Sequence, residues 1–143
     1  MRELVVEIPG IVPETVSVAL KEDLTISEDI EREAKYAAYR FGYYAVLAEK
    51  AASKQRKLNI SFELWQAEEC ARQRAELEAT GAKRIAQAQL DRLLQLHPKY
   101  RAYTVKIEEA KYHEGVLRSI AKAFEIKKDL VQTISANRRR EIT

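Results

Sequence analysis

The chain has 143 residues, 46% hydrophobic and 33% charged, with only 4 glycines and 3 prolines, and a net charge of +3. It is too apolar for a disordered chain, has little material for loops, and carries the charge of long surface helices. No run of 18 apolar residues occurs and no signal-peptide core opens the sequence, so a cytoplasmic chain without a membrane span is expected.

Residues 2–12 are β-branched and broken by Pro9-Gly10, which predicts a short extended arm with a turn. Pro13 suits the first position of a short helix over Glu14–Glu22, and Asp23 to Ile26 form a connector. A long helix is then expected over Ser27–Ala79, capped by Ser27 or by a Thr25–Glu28 capping box. At 1.5 Å per residue it would be roughly 80 Å long, so it must lie against other long helices. In heptad terms Ile30, Ala37, Tyr44, Ala51, Leu58 and Trp65 share position d, and Ala34, Phe41, Ala48, Gln55 and Phe62 share position a. Alanines 38, 45 and 52 at position e widen the face beyond a two-stranded seam, which favours a bundle.

Thr80-Gly81 ends that helix, glycine taking its common place just past the terminus. A shorter helix is expected over Lys83–Leu96, with Ile85, Ala86, Leu90, Leu93 and Leu94 inward. Pro98 stops it and opens the last helix, expected over 98–140. That helix has two apolar stripes: Tyr103, Ile107, Ala110, Leu117, Ala121, Phe124 and Val131, then Val116, Ile120, Ala123, Leu130 and Ile134. Two stripes call for two neighbours, one being the chain's own long helix and the other a second subunit. Leu117, Ile120, Phe124, Leu130, Val131 and Ile134 are the expected oligomer interface. The fold class is therefore all-α: an arm and short helix over 1–26, and one helical hairpin or bundle domain over 27–143 that assembles into a homo-oligomer.

An enzyme is not expected. There is no glycine-rich phosphate loop, no metal-type Cys/His spacing, and no nucleophile beside a strand, so neither catalytic residues, metal nor cofactor are assigned. His113 and His97 read as structural residues, and the lone Cys70 as a small core filler in a reducing compartment.

Charge is unevenly placed. Residues 1–33 carry three cations and nine acids, a net of −6, which leaves +9 on residues 34–143. An acidic head on a basic body points to an anionic partner for the body. Lys50, Lys54, Arg56 and Lys57 fall in an acid-free window, and Arg72, Arg74, Lys83 and Arg84 follow around the Gly81 turn. Tyr36, Tyr43, Lys50 and Lys57 share the outward c position, with Tyr39 at a neighbouring f position. Interleaved rings and cations on one face suit single-stranded nucleic acid, with bases stacked on the rings and phosphates on the cations. The alternative is that the tyrosines pack against another subunit while the lysines are solvated.

Leu20-Lys21-Glu22-Asp23-Leu24-Thr25-Ile26-Ser27, followed by Glu33-Ala34 and an Ala/Tyr-rich helix, resembles the start of the UvsY recombination-mediator family of tailed phages. The order of elements is also similar over residues 20–140. In that family a basic stretch followed by tyrosines and glycine is tied to single-stranded DNA. Arg72-Gln73-Arg74 and Gly81 approximate it here, with Glu78-Ala79 in place of the tyrosines. The resemblance implies a ring-like, hexamer- or heptamer-like homo-oligomer in the host cytoplasm. It would bind single-stranded DNA and help load a recombinase on DNA covered by single-strand-binding protein. A scaffold or adaptor coiled-coil protein without a nucleic-acid role is the alternative.

Overall fold

A computed structural model of the chain describes residues 4–6, 16–18 and 24–142, with side chains over 24–141. Its elements are β1 (Leu4–Val6), β2 (Val16–Val18), α1 (Ile30–Ala79), α2 (Gln87–Leu96) and α3 (Pro98–Ile142). The architecture is all-helical, with the two long helices packed together; the N-terminal residues add a two-stranded antiparallel ribbon.

The ribbon corrects one expectation. Val16–Val18 is a strand rather than part of a helix over Glu14–Glu22; residues 14–15 and 19–22 lie outside the described residues. Val16-Ser17-Val18 alternates apolar and polar with the period of a strand, and its valines are β-branched. Pairing sets Leu4 opposite Val18, Val5 opposite Ser17 and Val6 opposite Val16.

The start of α1 is also shifted, by three residues. Asp29 is the cap: its Oδ1 accepts the Arg32 N–H at 3.2 Å, the N3 donor of a helix beginning at Ile30. Ser27, the expected cap, instead donates its hydroxyl to Glu33 Oε1 at 3.0 Å. The other end is as expected. Gly81 takes φ of 92°, its N–H donates to Glu78 O at 3.0 Å, and the Ala82 N–H donates to Leu77 O at 3.2 Å. That double closure needs a left-handed residue, which only glycine adopts without a Cβ penalty. Gly81→Ala should cost about 1 kcal/mol in a thermal melt followed by circular dichroism; an unchanged melting temperature would contradict this.

α2 begins at Gln87, not Lys83, because Ala86 is extended (φ −72°, ψ 137°) and offers no side-chain cap. Lys83 and Arg84 consequently lie in the connection. Leu90 and Leu94 are buried, while Ala86, expected on the inner face, is exposed. Pro98 opens α3 as expected. His97 caps it, Nδ1 accepting the Lys99 N–H at 3.1 Å, which leaves the imidazole proton on Nε2.

Packing divides into two compact units, one comprising residues 1–52 with 112–143 and the other residues 53–111. In the first, Tyr44, Leu47, Ala48 and Ala51 of α1 meet Leu117, Ile120, Ala121 and Phe124 of α3. The Tyr44 and Phe124 rings stack at 5.5 Å and 4°. Glu49 with Arg118 at 3.1 Å and Glu33 with Lys127 at 2.6 Å give these segments an antiparallel sense. Alanines on α1 admit the close approach, and Leu47, at a heptad position not expected to be apolar, completes the core.

This packing revises the expected oligomer interface. Leu117, Ile120 and Phe124 belong to the chain's own core, and Val131 is fully buried. A side chain already covered within the hairpin has no apolar area left to bury against another subunit. Only Leu130, at 52% exposure, and half-buried Ile134 keep accessible surface.

In the second unit, Phe62 and Trp65 of α1 form an aromatic cluster with Tyr100 and Tyr103 of α3 and with His97. Centroid separations of 5.1–5.8 Å across these pairs lie in the favourable range for edge and tilted contacts. Ile107 and Ala110 are buried, and Cys70 is half-buried with a free thiol.

Candidate nucleic-acid interface

The expected stacking residues lie on the outer face of α1 in the first unit. Tyr36, Tyr39 and Tyr43 are 49%, 68% and 41% exposed, large values for aromatic side chains. Their spacing explains why: the core-facing positions of this stretch are Ala37, Phe41 and Tyr44, which turns Tyr36, Tyr39 and Tyr43 outward. Tyr39 and Tyr43, one helical turn apart, are stacked at 6.2 Å and 15°. Tyr43 also meets the edge of core residue Tyr44 at 5.2 Å, which braces it from below.

Cations that heptad reasoning passed over stand among these rings. The Arg32 guanidinium lies 5.3 Å from the Tyr36 ring centroid. Arg32, Lys35, Tyr36 and Tyr39 line a groove together with Asp29 and Glu31. The missed signal was the four-residue spacing of Arg32 before Tyr36 and of Lys35 before Tyr39. Lys50, further along α1, is exposed.

The other basic residues belong to the second unit. Arg56, Lys57, Arg74, Lys83 and Arg84 are exposed, and among the described residues none of them forms an ion pair. Two of the expected contacts already have partners within the chain. Lys54 is half-buried and already engaged within the chain. Arg72 is committed as well: its Nε donates to Glu69 Oε2 at 3.0 Å and its Nη1 to Glu76 Oε1 at 2.6 Å. A guanidinium held by two carboxylates presents little net charge to a phosphate.

Glu69 is the centre of that network. It is 9% exposed and also accepts a hydrogen bond from Gln73 at 3.1 Å, and His97 Nε2 lies 3.8 Å away. The Arg72 hydrogen bonds hold its carboxyl down at about 2 against the opposing effect of burial. A depressed carboxyl stabilises the fold above its ordinary value of 4.5, and that stability is lost as pH falls toward about 2. Acid unfolding of Arg72→Gln should therefore begin at higher pH than that of the wild type. Superimposable acid transitions would show that the network contributes nothing.

Among the described residues, no cluster of His, Cys, Asp and Glu is arranged to hold a metal ion, and no helix is long and apolar enough to cross a membrane. No family model, curated protein or solved structure matches the chain.

Proposed function

We infer that the protein binds single-stranded DNA and acts by binding and assembly, as a recombination mediator that helps a recombinase load on DNA covered by single-strand-binding protein. The observation that carries the reading is the exposed, stacked Tyr39–Tyr43 pair on a helix face supplied with Arg32, Lys35 and Lys50. Three tyrosines in one stretch keep 41–68% of their surface exposed, and an exposed ring offers a π-face to a base. The second unit has its own exposed cations, Arg56, Lys57, Arg74, Lys83 and Arg84, which suit phosphate contacts by themselves. The mediator role rests on the family resemblance, and the nucleic-acid role on these side chains.

Fluorescence polarisation with a labelled oligo-dT of about 30 nucleotides tests this, the length spanning more than one site of about 4–16 nucleotides. Binding should exceed that to duplex and weaken with salt, by about 0.7 in log-log slope per phosphate neutralised. Reversing Lys50, Arg56 and Lys57 to Glu should flatten the slope by about 2. Tyr39→Ala and Tyr43→Ala should cost about 1–3 kcal/mol per lost stack and leave the slope alone. If the wild type does not bind at low salt, the scaffold reading replaces this one.

A further inference from the structure

α3 presents a second seam that the described residues leave partly exposed. Tyr112, Ile126 and Leu130 are 68%, 51% and 52% exposed. Together with Val116, Ser119, Ala123 and Thr133 they recur at alternating steps of four and three residues along residues 112–133. That spacing keeps one straight line on a helix and is the pattern by which one helix packs along another. Leu117 and Phe124, buried against α1, occupy one flank of this line, and Val131 on the same flank is buried as well. Leu24, ahead of α1, walls the upper part of the seam, where a groove is lined by Tyr112, Val116, Ser119 and Ala123.

We propose that this seam binds a second copy of the chain, α3 lying antiparallel on α3 about a two-fold axis near residues 124–125. Two features select that occupant and that direction. The first is size. In the antiparallel register Ala123 faces Ile126 of the partner subunit, Ser119 faces Leu130 of the partner subunit, and Val116 faces Thr133 of the partner subunit. The two smallest side chains, Ala123 and Ser119, thus meet larger ones, and Val116 meets a side chain of similar size, as a dense interface requires. A parallel pair would set Ala123 on its own copy and Ser119 on its own copy, leaving gaps between the larger layers.

The second feature is charge. Lys122 and Asp129, both exposed, lie along one edge of the seam. The register that matches sizes also brings Lys122 beside Asp129 of the partner subunit, and the two-fold axis repeats the contact. Among the described residues, Lys122 exchanges an exposed contact with Glu125 at 3.2 Å for it. The seam therefore complements itself in shape and in charge. The pair is two-fold, not the odd-numbered ring that a heptamer would be, and it forms without DNA.

The experiment is a cross-linking pair in a Cys70→Ser background. Ser119→Cys and Leu130→Cys proteins are oxidised separately and as a mixture. In the proposed register position 119 meets position 130, whereas two copies of position 119 are offset by about 16 Å along the helices, well beyond disulfide reach of about 7 Å between Cα atoms. The mixture should cross-link and neither protein alone should. Light scattering of the wild type should give at least twice the 16.5 kDa chain mass. Ile126→Asp with Leu130→Asp should halve that mass without loss of helical signal, because both residues are exposed in the single chain. Asp129→Lys should weaken association about tenfold or more, and Lys122→Asp in the same chain should restore it. A monomeric wild type, self-cross-linking of Ser119→Cys, or an unreactive mixture would each overturn the proposal.

Discussion

Replacing Phe124 with alanine should destabilise the chain by about 3–5 kcal/mol, the range for removing a buried aromatic ring from a well-packed core. Phe124 has no exposed surface and stacks on Tyr44, and the Arg40 guanidinium lies 5.6 Å from its ring centroid. Alanine would forfeit the transfer energy of the ring, leave a cavity beside Ala121 and Ala48, and lose a ring pair worth about 0.5–1.5 kcal/mol beyond its area. Urea titration followed by circular dichroism gives the value directly. Running it in the Ile126→Asp, Leu130→Asp background keeps any association through the other face of α3 from entering the result. Leu130→Ala, on the exposed seam, should stay within about 0.5 kcal/mol in the monomer. A loss below about 1 kcal/mol for Phe124→Ala would mean that this ring is not in the core of a single chain.

The second large effect concerns Glu33 and Lys127. Lys127 Nζ lies 2.6 Å from Glu33 Oε2, and the two side chains are 7% and 16% exposed. Ser27 donates to the other carboxylate oxygen at 3.0 Å. Two charges taken out of water must compensate each other, and removing one strands the other. Glu33→Ala should therefore cost about 3–5 kcal/mol, whereas Glu33→Ala with Lys127→Met should recover much of that loss. The hydrogen bond from Lys127 is the main cause that lowers the Glu33 carboxyl below its ordinary value of 4.5, against the effect of burial. Its stabilisation is present above that value and is lost as pH falls below it. The acid limb of the stability curve should accordingly be shallower in Glu33→Ala than in the wild type. Additive effects in the double-mutant cycle would show that the pair is not coupled.

Much of α1 was legible because helix periodicity and one-sided burial are the same physical fact. Ala37, Tyr44, Ala48, Ala51 and Ala52, all placed on the seam by the heptad, are buried. Gly81 was equally legible, since a positive φ selects glycine from local chemistry alone. The failures lay where local rules offered several solutions. Ser27 or a Thr25–Glu28 box was expected to cap α1, whereas Ser27 engages Glu33 and Asp29, placed in the first turn, supplies the cap. Val16–Val18 formed a strand because a pairing partner exists in Leu4–Val6, which no window around Pro13 contains.

The candidate site divides in the same way. That Tyr36, Tyr39 and Tyr43 face outward follows from the apolar positions between them, so one sequence suffices to place them. Whether a cation is available depends on neighbours distant in the chain or on a rotamer, and spacing could not separate Arg72, held by Glu69 and Glu76, from exposed Arg74. By itself the sequence determined two long helices, their turn at Gly81, and the core-facing stripe of α3; of the second expected stripe Ile120 went to the core, and Tyr112 and Ile126 belong to neither expected stripe. Only the tertiary structure decided which stripe the chain consumes. Leu117 and Phe124 went to α1 and Val131 is buried as well, while Tyr112, Ile126 and Leu130 stayed exposed. Periodicity records that a face is apolar; what covers it is set by the relative rotation of two packed helices, which no single helix encodes.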